Sequence, residues 1–303
     1  MTAYAPAAVR DVPALAALWQ TCFGDPASDS EPILTHPQIR TFAAYVDGKP
    51  VSMLCALPAT LVDEAGGEAP CAYLYAVCTH PAFRRRGLSS GLLAFAEEAL
   101  RCAGFSCAAL VPANESLFGF YQKNGYQTVF YQKKYEAAPG GAADIRPVGA
   151  ADYRALRELQ LYGCFVSFPE AMLGLLPQRW RIETDTAVCC AAGAVQDGVL
   201  RLQELLPDVP EAAAALAARL GCTRAEVLLR ASTDAANALL RFGSGEFTAL
   251  TASQTLADRL PGGEECTFLR FGLDIPAGAQ TVQLKLELPS TSCKLYDTAL
   301  VLL

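Results

Sequence analysis

The residues best placed to do chemistry run from Pro81 to Leu93, PAFRRRGLSSGLL. Arg84, Arg85 and Arg86 precede Gly87, then the small hydroxyls Ser89 and Ser90, then an amphipathic helix pattern. Gly87 admits a tight turn, and the first residues of the helix carry N–H groups with no intrahelical acceptor. The helix adds the positive end of its dipole, and the arginines add full charges. The amides of Arg85, Arg86, Gly87, Leu88, Ser89 and Ser90 are therefore expected to cradle an anion with two adjacent phosphates. A solvated basic loop is the alternative reading of RRRG. The apolar run Tyr73 to Val77 before it and the helix after it favour the cradle.

The elements that position this turn alternate between strand and helix. Asp11 is expected to cap a helix through Cys22, with Leu15, Leu18, Trp19 and Cys22 on one face. Thr41 to Val46 and Val51 to Val62 read as strands joined at Asp47–Gly48, a hairpin turn. A strand from Cys71 to Thr79 leads into the arginines. Leu88, Leu92, Ala96 and Leu100 then form the buried stripe of a helix stopped by Gly104. Phe105 to Val111 reads as a strand, Glu115 to Lys123 as a short helix, and Tyr126 to Tyr135 as a strand.

Glu136 to Ala143, EAAPGGAA, has no periodicity and reads as a linker. Beyond it, Pro147, Asp152, Ala155, Leu156 and Leu159 repeat Pro6, Asp11, Ala14, Leu15 and Leu18 at constant offset. The order strand, helix, strand also returns in Val199 to Leu206, Pro210 to Leu220 and Glu226 to Arg230. Only PDVP separates that strand from its helix, without the arginines or the glycine turn. Thr281 to Leu288 alternates apolar and polar residues, and the chain ends in the apolar run Ala299 to Leu303. The expected organisation is an α/β domain over residues 1–136, a linker over 137–144, and a second, degenerate domain with a strand tail over 145–303.

Composition narrows the function. A chain of 303 residues, 52% hydrophobic, can bury the cores of two domains. A net charge of −7 argues against a nucleic-acid partner, which needs a broad basic face, and suits a cationic substrate. No apolar run is long enough to span a membrane and the N-terminus does not read as a signal peptide, so a soluble, cytoplasmic protein is expected. The twelve cysteines contain no C-x-x-C pair and mostly sit in apolar stretches, as core thiols do. Only His36 and His80 are present, which disfavours a histidine-rich metal site or a serine–histidine triad. No metal is expected.

Arg84, Gly87 and Ser89 resemble the Q/R-x-x-G-x-G/A diphosphate motif of the GNAT acetyltransferase superfamily, with serine in place of the last small residue. The segment NESLFGFYQKNGY resembles the family's second motif through Asn114 and Tyr121, ahead of Gly125–Tyr126. The tandem layout resembles the enhanced-intracellular-survival type, although too few residues follow Pro261 for that group's third domain. The resemblance implies a GNAT fold, a mixed central sheet flanked by helices, with acetyl-CoA as acyl donor. It implies that backbone N–H groups at Val77, Cys78 and Thr79 polarise the acetyl carbonyl where the strand splays from its neighbour. It also implies that Asn114 hydrogen-bonds the cofactor. Tyr121 is the expected acid, because a phenol stays protonated at neutral pH and can give its proton to a leaving thiolate. Core packing for Tyr121 and helix capping for Asn114 are the alternatives.

No Asp or Glu lies between Cys71 and Phe83, so the strand carboxylate that many family members use as base is missing. His80, the carboxylate of Leu303 and a water chain remain open for that role. The expected reaction is direct transfer of an acetyl group to a primary amine of a small molecule. Acetylation of a protein lysine or N-terminus, and non-catalytic sensing of acyl-CoA, are the alternatives. The second domain is expected to shape the acceptor site or to form an oligomer interface.

Overall fold

The computed structural model describes residues 2–63, 66–161, 165–230 and 236–242. The alternation Thr281 to Leu288, the terminal apolar run and Leu303 lie outside the described residues. The first half contains β1 (Thr2–Pro6), α1 (Val12–Phe23), α2 (Ala27–Leu34), β2 (Arg40–Val46), β3 (Lys49–Val62), β4 (Glu68–Thr79), α3 (Leu88–Cys102), β5 (Cys107–Leu110), α4 (Phe118–Lys123) and β6 (Gln127–Ala137). The remainder contains β7 (Asp144–Pro147), α5 (Ala150–Gln160), β8 (Phe165–Ser167), α6 (Glu170–Leu173), β9 (Gln178–Glu183), β10 (Val188–Gln196), β11 (Val199–Leu206), α7 (Pro210–Arg219), β12 (Arg224–Arg230) and β13 (Ala236–Phe242).

The strands join in the order β1-β2-β3-β4-β5-β13-β6-β12-β11-β10-β9-β7, with β8 added to β3. The β2–β3 hairpin turns at Asp47 and Gly48, both with positive φ, which matches the right-handed twist of the flanking strands. Each half contains one crossover unit, a parallel strand pair bridged by a helix: β4–α3–β5 and β11–α7–β12. Two strands interleave the halves. β6 pairs with β12, and β13 lies antiparallel between β5 and β6.

Near the N-terminus three elements depart from the sequence reading. Thr2–Pro6 pairs with β2 as an edge strand too short to show a clear period. Ala27–Leu34 is helical despite the internal Pro32, because Ser30 and Ile33 are buried against α1. Asp11 does not cap α1 with its side chain. Its carboxylate instead accepts from the Ala8 N–H at 2.9 Å and the Tyr45 hydroxyl at 2.8 Å.

One face of the first-half sheet packs on α3 and α4 through Leu54, Leu74, Leu92, Leu93, Ala96 and Tyr121. The other packs on α1 and on parts of the second half. There Leu15, Trp19, Met53, Tyr73 and Cys78 share one core with Tyr153, Phe168 and Leu206. A buried ion pair anchors that junction. Arg157 Nε donates to both Glu204 oxygens at 3.1 and 3.0 Å, and its Nη1 donates to the Val166 carbonyl at 3.2 Å. Tyr153 donates to the same carboxylate, and Arg157, Glu204 and Tyr153 are all fully buried. The guanidinium thereby fixes β8, the strand that the second half lends to β3. Removing one member of such a pair strands a buried charge. Glu204→Ala is expected to lower stability by about 3–5 kcal/mol in urea unfolding. A loss below about 1 kcal/mol would show that the pair is solvated or redundant.

Candidate active site

The Arg84–Ser90 turn folds as its residues dictate. A short 3-10 turn over Pro81–Phe83 closes the end of β4, and His80 Nδ1 accepts from the Ala82 N–H at 3.2 Å. Arg85 and Gly87 then take left-handed φ values of 62° and 74°, which swings successive amides toward one side as an anion-binding nest does. Gly91 N–H bonds to the Gly87 carbonyl at 2.9 Å, starting the ladder of α3. Among the described residues, no hydrogen bond engages the N–H groups of Arg85, Arg86, Gly87, Leu88, Ser89 or Ser90. A Cβ on Gly87 would meet nothing within 4 Å. The glycine is needed there for its φ, not for space.

The arginine side chains divide their work. Arg84 Nε donates to the Thr79 carbonyl at 3.1 Å. Arg86 donates to the Ala82 carbonyl at 3.0 Å and stacks its guanidinium 5.0 Å from the centre of the Phe83 ring. Both brace the turn from behind. All three arginines are exposed, so their charge remains at the mouth of the cradle.

β4 supplies the second part of the site. It pairs with β5 only from Cys71 to Tyr73, then runs on to Thr79 after β5 has turned away. A slot opens between them that ends at the arginine turn. Within it β4 carries a bulge: Met53 faces Cys78 and Cys55 faces Tyr75, so Leu54 opposes both Ala76 and Val77. Ala76 pays for this with φ of 51°, a conformation costly for a residue with a side chain. Val77, Cys78 and Thr79 lie just beyond the bulge. Ser52, fully buried on β3, holds them from the far side by donating to the Cys78 carbonyl at 2.7 Å, with its oxygen 2.8 Å from the Thr79 hydroxyl. Ser52→Ala is expected to cost about 1–3 kcal/mol of stability by stripping those buried partners, measurable as a lower urea midpoint. An unchanged midpoint would mean that the segment is held without Ser52.

Tyr121 projects from α4 and is buried beside Tyr126 and Phe120, with ring centroids 5.7 and 5.1 Å away. Burial, with a smaller contribution from Cys78, pushes its phenol above the ordinary tyrosine value. It therefore stays protonated throughout the neutral range. Glu115 to Lys123 is a 3-10 turn followed by α4, not one continuous helix. Asn114 occupies the N-cap position of that turn, is exposed, and accepts from the Ser116 hydroxyl at 2.6 Å without capping the backbone.

On the opposite side of β4 stands a group of residues that the sequence reading did not single out for chemistry. Trp19 meets Tyr75 edge to face at 5.6 Å, Tyr73 meets Phe168 at 5.6 Å, and Trp19 Nε1 donates to Asp25 at 2.9 Å. Asp25 and Phe23 are exposed at the end of α1. Cys22 is half-buried in the last turn of α1 and packs against the core that includes Cys78. An aromatic stripe at helical spacing looks like core in a sequence. Only the sheet shows that this one flanks the slot.

The second half repeats the scaffold without the cradle. β11 carries its own bulge, where Gly193 faces Leu202 while Ala192 faces Glu204, leaving Gln203 extra. α7 then begins at Pro210, which has no N–H to offer. Among the described residues no cluster of three or more metal-ligating side chains occurs, and no helix is long and apolar enough to cross a membrane.

A family model described as an acetyltransferase (GNAT) domain matches residues 3–129. No curated protein matches the chain. Among solved structures, a probable N-acyltransferase from Enterococcus faecalis V583 is 16% identical with a TM-score of 0.60, over 80% of this chain and 73% of its own. Eis1 from Mycobacterium abscessus is 15% identical with a TM-score of 0.54, over 80% of this chain and 73% of its own. A tandem GNAT protein from the clavulanic acid biosynthesis pathway is 11% identical with a TM-score of 0.52, over 81% of this chain and 100% of its own. At these identities the likeness is one of fold. Residues 3–129 thus match an acetyltransferase (GNAT) domain, and that match supports an acyltransferase. The expected GNAT fold, with a second, degenerate GNAT-like part in the manner of the tandem and Eis-type proteins, is the one observed.

Proposed function

We propose that the protein binds one acetyl-CoA in its first half and transfers the acetyl group to a primary amine of a small molecule. The observation that carries this reading is the slot between β4 and β5, which leads from the free amides of Arg85–Ser90 past Val77–Thr79. The amides and the exposed arginines suit a diphosphate, and the slot suits an extended arm. When bound, acetyl-CoA supplies an activated thioester carbonyl. The amides of Val77, Cys78 and Thr79 stabilise the negative charge that develops on the carbonyl oxygen. The acceptor nitrogen forms the new C–N bond as the C–S bond breaks, and Tyr121 gives its proton to the departing sulfur. Asn114 hydrogen-bonds the cofactor from the rim. His80, whose Nδ1 is engaged by the turn, the Leu303 carboxylate and a water chain remain the routes for the proton leaving the amine.

We divide the chain into a catalytic domain over 1–136, a linker over 137–144 and a degenerate domain over 145–303. The second domain closes the acceptor side, as Phe168 against Tyr73 and β8 against β3 suggest. That enclosure, with Asp25 at its rim, favours a small cationic amine in the cytoplasm over a protein substrate. The test is release of free thiol from acetyl-CoA across a panel of amines and lysine peptides. Turnover with small amines supports the reading. Turnover confined to peptides, or tight binding with no turnover, replaces it with a protein acetyltransferase or a sensor.

A further inference from the structure

Thr79 is the last residue of β4, and hydrogen bonds on both sides fix the way it faces. His80 N–H donates to the Val51 carbonyl at 2.8 Å, which makes Val51 and His80 a hydrogen-bonded pair of the antiparallel ladder. The next pair, Ser52 and Thr79, is therefore a non-hydrogen-bonded one, whose N–H and C=O groups point outward from the two strands. Arg84 Nε takes up that outward carbonyl of Thr79 at 3.1 Å. The Thr79 N–H points the same way, toward the side on which β5 ends its pairing at Tyr73. Among the described residues nothing accepts from it. Ser52 holds the other edge of this peptide. It commits its single hydroxyl proton to the Cys78 carbonyl at 2.7 Å, so across the 2.8 Å contact the Thr79 hydroxyl donates and the Ser52 oxygen accepts. The Cys78–Thr79 peptide is planar, with its carbonyl and its N–H on opposite edges. A bond that fixes the carbonyl on the side of β3 therefore fixes the N–H on the side of the slot.

We propose that Ser52 is a positioning residue for the acyl donor: through the Cys78 carbonyl it aims the Thr79 N–H into the slot, where that N–H donates to a carbonyl of the bound acyl-CoA arm. The proposal rests on the acetyl-CoA reading above and singles out Thr79 among the β4 amides. A donor held in place before the ligand arrives needs no reordering as charge builds on the oxygen it faces. Ser52 is fully buried, so no water can stand in for its hydroxyl without a cavity to hold it. Without that hydroxyl the peptide is free to rock, and the N–H loses its aim. The arginine turn keeps its own bonds, among them Arg86 to the Ala82 carbonyl, so the cradle is untouched.

The test compares two ligands on one variant of the full chain. Acetyl-CoA uses cradle and slot together, whereas 3′-phospho-ADP carries the diphosphate that the helix N-terminus holds but lacks the arm. In titration calorimetry Ser52→Ala is expected to lose about tenfold in acetyl-CoA affinity and to bind the nucleotide as before. A loss of general stability would weaken both ligands alike, so the difference between them reports the aim of the N–H. If Ser52→Ala does not fold, Ser52→Cys, which is close in size and donates only weakly, takes its place with the same difference expected. In the unchanged protein, with isotopically labelled threonine, the Thr79 amide resonance should move on adding acetyl-CoA and stay put with the nucleotide. Equal losses for both ligands, full acetyl-CoA affinity in the folded variant, or a Thr79 signal indifferent to acetyl-CoA would each overturn the proposal. When both ligands bind the unchanged protein and only the difference is missing, the acetyl-CoA reading stands and the role of Ser52 fails. When neither binds it, the reading itself falls and the proposal with it.

Discussion

Replacing Gly87 with valine is expected to weaken acetyl-CoA binding about 10- to 100-fold. At φ of 74° a β-branched residue is strained by about 1–3 kcal/mol. The exposed loop can escape that strain by relaxing to another conformation when empty. Binding must then restore the left-handed turn, so the strain appears as lost affinity, at about 1.4 kcal/mol per tenfold. The turn has open space around Gly87, so the fold itself should tolerate the change. Titration calorimetry with acetyl-CoA, paired with a thermal melt, separates the two effects. Full affinity in the valine variant would remove the cradle from the site. A collapsed melting temperature would mean that the turn also supports the core, and Gly87→Ala would then be the milder probe.

The second large effect is expected from Tyr121→Phe, which removes one oxygen and keeps the ring that packs on Phe120 and Tyr126. A positioned general acid contributes about 10²–10⁴ in rate, so kcat should fall within that range while acetyl-CoA affinity stays within about twofold. The pH profile makes a separate check. Activity needs the protonated phenol, and burial raises its pKa, so any loss due to Tyr121 must set in at a higher pH than for an ordinary tyrosine near 10. The alkaline limb of the wild-type profile should therefore not belong to Tyr121 if it falls below that point. A phenylalanine variant with unchanged kcat would assign the proton to another donor.

Much of the site was legible in the sequence because it is built locally. The strand from Cys71, the arginine turn and the helix from Leu88 follow one another without interruption. Each is specified by its own residues: β-rich apolar chain, a glycine that must take positive φ, and a stripe at helical spacing. Gly104, in the left-handed region at φ of 91°, ends that helix as expected. The segment around Tyr121 was legible for the same reason, although its first turn is 3-10 and not α. Asp11 was read as a cap from its position alone, and Tyr45, 34 residues away, shares its carboxylate.

What no local pattern could reveal is which residues meet across the sheet. β13 enters between β5 and β6 from more than a hundred residues further along the chain. Arg157 finds Glu204, and Phe168 finds Tyr73, through packing that periodicity does not encode. The sequence by itself determined the left-handed turn at Gly87, the short helix that carries Tyr121, and the absence of the arginine–glycine turn from the repeat. These are consequences of backbone dihedral preference and of the N–H groups that glycine exposes and Pro210 lacks. Tertiary structure alone decided that β4 bulges and runs on beyond its pairing with β5, that β8 joins β3, and that Ser52 holds the Cys78 carbonyl. Those contacts join residues distant in the chain. Strand register and side-chain burial fix them, and both exist only once the whole sheet has formed.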